Sequence, residues 1–326
     1  MYEKVKARDH HIPSVGLGLW KIDGADATSI VEKAIEIGYR HIDSAADYGN
    51  EIETGYGINA AIKKGYCNRH DLWVTSKLWN NYHRPEHVRP ACEKTLKDLG
   101  LDYLDLYLIH FPISLKFVPF DHHYPPGWNS VLNNKKIPKM EIDPVPLHMT
   151  WLAMEKLVDS GLVKSIGVCN YNTGLLHDLM AYSNIQPAML QIESHPYLAQ
   201  ENLVKLAMEY NLAVTAFSPL ASLSYVSLDM ARPDDSIINK DVIKKIANEH
   251  GKTPAQIVLR WGLQRGTAII PKTIRFDRLK ENISIFDFSL SSSQMSSISA
   301  LNCNRRYNDP AIFCKQSFGK FFPIYQ

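Results

Sequence analysis

The chain has 326 residues, 45% of them hydrophobic and 21% charged, and a formal net charge of +2. That balance fits a soluble globular protein and excludes the strongly basic surface of a nucleic-acid or membrane-surface binder. Five cysteines (Cys67, Cys92, Cys169, Cys303, Cys314), odd in number and without CxxC spacing, argue against a disulfide framework or a zinc site and for a reducing compartment. No apolar run approaches the ~20 residues of a membrane span, and neither a signal-peptide core nor a C-terminal targeting motif is present. The expected location is the cytoplasm.

Short β-type runs alternate with longer helical patterns. Ser14 to Leu17 reads as a weak first strand, and Ser29 to Ile37 as a helix stopped by Gly38. His41 to Asp43 is the second strand, and Glu51 to Lys64 the second helix. Leu72 to Ser76 follows, then a helix from Pro85, a helix-start proline, to Leu99. Leu104 to Ile109 is a nearly continuous apolar run, as in a strand buried on both faces. Phe111 to Leu147 breaks the rhythm, with Tyr124-Pro125-Pro126-Gly127-Trp128 and Asn133-Asn134-Lys135-Lys136; so long an insertion is usually functional.

The alternation resumes with a helix over Met149 to Val158, a strand over Ser165 to Val168 and a helix over Gly174 to Tyr182. Met189 to Ile192 is a strand, Asn202 to Glu209 a helix and Ala213 to Phe217 a strand. Ser218 to Ser236 is a second long loop. Helices follow over Asp241 to His250 and Pro254 to Gln264, then a last strand over Thr267 to Ile270 and a helix from Asp277. Ser291 to Leu301 reads as a further helix, and Asn302 to Gln326 as irregular. Eight strand-then-helix units are countable, with no linker-like composition between them. They predict one (β/α)8 barrel domain over residues 1–326, with long loops and an irregular tail at the substrate face. The competing doubly wound sheet usually carries a glycine-rich phosphate turn. Here Gly16-Leu17-Gly18 is only a fragment of one, because Lys21 takes the last glycine position.

Asp43, Lys77 and His110 each stand where an apolar strand stops, and Tyr48 stands at the mouth of the next helix. In a parallel barrel those ends share the face that holds the active site. A phenol is a weak acid, with a reference pKa of roughly 10. A neighbouring cation is needed for it to give up a proton near neutral pH, and Lys77 is placed to be that cation. A single strand-end Asp or Lys is more often a surface ion pair, and a single Tyr more often a core-edge residue. The conjunction of four favours catalysis. His122-His123 is read as a surface pair, and no metal is expected.

Four stretches carry a family resemblance: Gly38-Tyr39-Arg40-His41-Ile42-Asp43, Tyr48-Gly49-Asn50-Glu51, the run from Leu101 to His110, and Ile269-Ile270-Pro271-Lys272-Thr273. With these the chain resembles the aldo-keto reductases along nearly its whole length. Among them it is most similar to the xylose (aldose) reductases, through Ser76-Lys77-Leu78-Trp79-Asn80-Asn81-Tyr82-His83, Lys116-Phe117-Val118-Pro119 and Tyr124-Pro125-Pro126-Gly127.

The resemblance implies a catalytic tetrad of Asp43, Tyr48, Lys77 and His110 and a nicotinamide cofactor, NADPH with NADH possible. It implies that Asn170 and Gln191 hold the carboxamide beside Asp43, that Phe217 stacks under the ring, and that Cys169, Ser218 and Leu220 line the same bed. Cys169 replaces a common serine and Phe217 a common tyrosine. Lys272, Thr273, Arg278 and Asn282 match cofactor positions, with Glu281 near the adenosine. In the residues themselves, Lys272, Arg275 and Arg278 form a basic cluster around a helix start, suited to a 2′-phosphate. The implied substrate pocket has Trp20, Trp79, Phe111 and Trp128 as its wall, Asp47 and Asn308 as polar contacts, and Tyr48 and His110 at the carbonyl.

The expected activity is NADPH-dependent reduction of an aldose or related aldehyde, by a monomer or homodimer, with no nucleic-acid or membrane partner. Alternatives are a reductase of sugar phosphates, uronate-derived or simple aromatic aldehydes, and a non-catalytic NADP-binding scaffold of the same family. A barrel glycosidase using Asp43 and Glu193 as paired carboxylates is a third, but it leaves Lys77 and His110 without a role.

Overall fold

The computed structural model describes residues 3–128 and 141–325, the side chain of Gln316 excepted. The Asn133–Lys136 part of the long insertion lies outside the described residues. Two strands come first, β1 (Lys4–Ala7) and β2 (His10–Pro13), paired as an antiparallel hairpin. The sequence reading has no counterpart for them, because four residues with alternating charge and weak apolarity give little periodic signal. Ala7 and Ile12 pack against Trp73, Leu106, Met189 and Ala213, which begin barrel strands. The hairpin therefore closes the end of the barrel where the strands start.

The barrel strands are β3 (Leu17–Gly18), β4 (His41–Asp43), β5 (Trp73–Leu78), β6 (Leu106–Ile109), β7 (Ile166–Cys169), β8 (Met189–Glu193), β9 (Ala213–Phe217) and β10 (Ala268–Ile269). Each is parallel to the next in sequence order. The seam between the last and the first is closed by a Val15–Ile269 bridge and by backbone bonds from Gly16 N to Ile269 O and from Ile269 N to Ser14 O, both 2.8 Å. Gly18 is required there, since a Cβ would stand 2.6 Å from the Ile270 carbonyl oxygen. The architecture is the (β/α)8 barrel read from the sequence. The first strand is displaced, to Leu17–Gly18 with Val15 held only by the bridge.

The helices are α1 (Gly24–Ile37), α2 (Glu51–Lys63), α3 (Pro85–Leu99), α4 (Leu147–Asp159), α5 (Thr173–Tyr182), α6 (Glu201–Glu209), α7 (Asp241–His250), α8 (Pro254–Gln264), α9 (Phe276–Ile283) and α10 (Ser292–Ser299). Their ends follow local chemistry: Pro85 opens α3, Gly100 in the left-handed region closes it, and capping boxes of Thr253 with Gln256 and Ser291 with Gln294 open α8 and α10. α1 begins at Gly24, five residues ahead of the Ser29 read from periodicity, because the first turn, Gly24-Ala25-Asp26-Ala27, has no large apolar side chain to show the period. The tail read as irregular holds two one-turn helices, α11 (Pro310–Phe313) and α12 (Lys315–Phe318). The loop after β9 is broken into short 3₁₀ turns at Ala221–Ser224, Val226–Leu228 and Pro233–Asp235.

Register places the chemistry. Asp43 pairs with Thr75, so Lys77, two residues further along β5, projects to the same side as Thr75 one step nearer the mouth. Lys77 pairs with Leu108 and Leu78 with Ile109, which brings His110 to the same level. Cys169 pairs with Gln191, and Glu193 with Phe217. Among the described residues no helix is long and apolar enough to cross a membrane.

Candidate active site

Lys77 is fully buried inside the barrel, an expensive place for an ammonium unless every donor is used. Its Nζ donates to Asp43 Oδ1 at 2.6 Å, to the Ser44 carbonyl at 2.7 Å and to the Tyr48 hydroxyl at 3.1 Å. The second Asp43 oxygen accepts from Gln191 Nε2 at 2.7 Å. Asp43, Lys77 and Tyr48 are thus one hydrogen-bonded unit, with the phenol at its outer end. Gly49, in the left-handed region at φ 70°, turns the chain directly after Tyr48. Burial alone lowers the ammonium's pKa, but Asp43 and Tyr48 more than offset it and hold Lys77 above its ordinary value. For the phenol, burial dominates and raises its pKa, while Lys77 pulls the other way. Lys77 thus opposes the desolvation of the phenol, which is the larger of the two effects.

His110 stacks on Phe111 (ring centroids 5.1 Å) and meets Tyr48 edge-on at 5.9 Å. Its Nδ1 lies 3.1 Å from Asp47 Oδ1. The two atoms are not aligned as a hydrogen bond, and both remain without one among the described residues. Asn170 donates to the His110 carbonyl at 2.9 Å.

These groups open onto one cavity of about 1100 Å³. With Asp43, Tyr48 and His110 its lining includes Trp20, Asp47, Phe111, Trp128 and Asn308; Cys169, Asn170, Gln191, Phe217, Ser218 and Leu220; and Lys272, Thr273, Arg278, Glu281 and Asn282. Trp79, read as part of the wall, is fully buried behind it. Its ring packs edge-on to Trp128 at 4.9 Å and to His110 at 5.2 Å, and its Nε1 donates to the Gly127 carbonyl. Arg275 lines the cavity beside Lys272 and Arg278, with its guanidinium held by Asp277.

Sequence reasoning missed Lys21, Tyr225 and Phe313, which also line the cavity. Lys21 Nζ donates to the Ser224 carbonyl and Ser227 Oγ, bridging the cavity to the loop after β9. Burial and then the Lys272 charge lower its pKa, so two cations face each other there with no carboxylate between them in hydrogen-bond contact with Lys21. No sequence signal marks such a pair, since its members are far apart in the chain. Lys21, Asn170, Ser218 and Ala221 all hold positive φ without being glycine. Such strain gathers where function over-determines the backbone.

Glu193 was read as half of an alternative carboxylate pair. Both its oxygens are occupied, by His195 Nε2 and by the backbone N–H groups of Tyr307 and Asn308, each at 2.9 Å. Asp43 is likewise saturated, so neither carboxylate is free to attack or protonate a glycoside. Glu193 instead pins the tail that carries Asn308, whose side chain hydrogen-bonds Tyr225. Among the described residues no three His, Cys, Asp or Glu side chains gather as metal ligands.

Glu51, in the first turn of α2, braces this site from behind. It is buried and accepts from Ser76 Oγ at 2.7 Å and Thr95 Oγ1 at 3.1 Å. Lys94, next to Thr95 on α3, is bound to Asp98. Burial, with help from Asp98 and Asp47, pushes the Glu51 carboxyl from its ordinary 4.5 to about 7 against the pull of the two hydroxyls. A folded-state pKa above the unfolded one gives stability that is complete below the unfolded value and is lost as pH rises through the folded one. Urea unfolding of the parent and Glu51→Gln should therefore show the parent losing ground from about pH 5 to about pH 8, by on the order of 3 kcal/mol. A difference that stays flat with pH would show that Glu51 ionises normally.

A model of the Aldo/keto reductase family matches residues 14–303. The chain belongs to the aldo/keto reductase family. This aldo-keto reductase is 46% identical to a probable NAD(P)H-dependent D-xylose reductase of Aspergillus clavatus over 325 residues, which covers 97% of each chain. It is also 46% identical to an NADPH-dependent aldose reductase of Saccharomyces cerevisiae, over 95% of this chain and 96% of that one. Among solved structures, the aldose reductase of Schistosoma japonicum superposes with a TM-score of 0.86 at 39% identity, covering 98% of both chains.

Proposed function

We propose that this protein reduces the carbonyl of an open-chain aldose, or of a closely related aldehyde, to the alcohol, using NADPH and accepting NADH as a substitute. The observation that carries the sugar assignment is the pairing of an aromatic wall with unanswered polar groups. Asp47 and Asn308 border the same cavity as Trp20, Phe111 and Trp128, and Asp47 Oδ1 and Asn308 Oδ1 are buried without a hydrogen-bond donor among the described residues. A polyhydroxylated chain supplies such donors; a hydrocarbon or a plain aromatic aldehyde does not.

The residues fit a phosphorylated dinucleotide. Lys21 and Lys272 concentrate positive charge at one part of the cavity, and Arg278 and Thr273 line it beside the first turn of α9. Asn170 and Gln191 offer an amide pair for the carboxamide, and Phe217 an aromatic face for the ring. Cys169, held as a neutral thiol by burial, offers only a weak donor. The reduced nicotinamide supplies the hydride. His110 orients the substrate carbonyl, and Tyr48 passes its hydroxyl proton to the carbonyl oxygen as charge develops there. An alkoxide is a stronger base than a phenolate, so a phenol of raised pKa still gives up its proton in that direction. Lys77 stabilises the phenolate left behind, and Asp43 keeps Lys77 charged and aimed. This intact unit favours catalysis over a purely binding role.

The sugar assignment is tested on Asn308, whose backbone is held by Glu193 whatever its side chain. Asn308→Ala is expected to lower kcat/KM for xylose by up to about tenfold and to leave benzaldehyde within about twofold. Parallel losses on both substrates would mean that Asn308 only braces the cavity mouth, and would remove the reason for choosing a sugar.

A further inference from the structure

Asn170 presents an amide with one donor edge and one acceptor edge, and the carboxamide proposed to meet it does the same. Complementarity therefore depends on which way the Asn170 amide is turned. The structure fixes that orientation from two sides. Asn170 Nδ2 donates to the His110 carbonyl at 2.9 Å. On the other edge, Asn170 Oδ1 accepts from the hydroxyl of Tyr325 at 2.7 Å. Tyr325 arrives from the far side of the tail, 155 positions away in sequence.

The phenol is itself firmly held. The Arg306 guanidinium lies 3.6 Å from the ring centroid. Arg306 Nη2 donates to Gln200 Oε1, and Gln200 Nε2 donates to the Glu193 carbonyl. The contact is thus the end of a chain of fixed side chains running back to β8. Burial raises the phenol's pKa, with Arg306 opposing, so the hydroxyl remains a donor. An amide oxygen has a second lone pair and the amide nitrogen a second hydrogen. Neither tether therefore blocks a ligand; together they decide which edge the ligand meets.

We propose that Tyr325 is a positioning residue for the cofactor's nicotinamide end, acting through Asn170. The proposal rests on the reading that Asn170 holds the carboxamide. Calorimetric titration tests it with two ligands: NADPH, and adenosine 2′,5′-bisphosphate, which has the adenosine end and no nicotinamide. Tyr325→Phe keeps the ring on Arg306 and removes only the hydroxyl. It is expected to weaken NADPH by about three- to tenfold, the size of one neutral hydrogen bond, and to leave the bisphosphate unchanged. In an Asn170→Ala background the same change should have no further effect on NADPH. Unchanged NADPH affinity in Tyr325→Phe, or equal weakening of both ligands, overturns the inference while leaving Asn170 in place. If Asn170→Ala alone leaves NADPH affinity unchanged, the reading of Asn170 falls and the inference with it.

Discussion

Tyr48→Phe is expected to lower kcat/KM for any carbonyl substrate by about 100- to 10,000-fold while NADPH affinity stays within about twofold. Among the described residues the phenol is the only hydroxyl bonded to the buried Lys77 ammonium. In the proposed reaction it meets the substrate, whereas the groups proposed to hold the dinucleotide are other residues of the cavity lining. Removing one oxygen from a ring packed against His110 and Lys77 changes little of the packing. The comparison to make is single-turnover reduction against equilibrium titration of NADPH. Turnover within about tenfold of the parent would show that the proton comes from another group, His110 being the nearest candidate.

Lys77→Met should show a second large effect, on folding as well as chemistry. Lys77 and Asp43 are both essentially excluded from solvent, with 0% and 1% side-chain exposure. Removing the ammonium leaves the carboxylate with Gln191 as its remaining side-chain donor. Breaking a buried pair in this way costs about 3–5 kcal/mol, mostly because the surviving charge has lost its partner. Denaturant unfolding near neutral pH should register that loss. Adding Asp43→Asn removes the stranded charge and keeps an acceptor for Gln191, so the double variant should regain most of the stability. It should regain none of the activity, since the phenolate then has no cation beside it. A single variant destabilised by less than about 1 kcal/mol would imply that Asp43 is solvated in a way its burial does not suggest.

The parts of this architecture that the sequence displayed were those with strong periodicity or motif chemistry. The apolar run ending at Ile109 and the capped helix from Pro85 to Leu99 announced a parallel barrel, and strand-end polar residues announced its active face. The N-terminal hairpin was illegible because Lys4–Ala7 and His10–Pro13 are four residues each, too short for the alternation of Lys4–Ala7 to stand out. Helical turns in the tail were illegible because four-residue helices have no full period. At the site, Asp43, Lys77, Tyr48 and His110 are brought together as register demands. Trp79 shows the limit of such reading. An aromatic residue at a strand end can face the cavity or stand behind its lining, and that choice depends on Trp128, which packs on it from another part of the chain. The contacts of Lys21 with Ser227, of Glu193 with Asn308 and of Tyr325 with Asn170 span 206, 115 and 155 positions. No local pattern encodes pairs so distant.

The hairpin of β1 and β2 has a practical consequence. It seals the barrel at the end opposite the cavity, while Tyr325 lies at the cavity's own end. A surface tether attached through the exposed Lys4 or Lys6 of the hairpin therefore sits away from the mouth and leaves diffusion of cofactor and substrate unobstructed. One attached through Tyr325 itself pulls on the residue that holds Asn170. For immobilised reactors, the two attachment points are not equivalent.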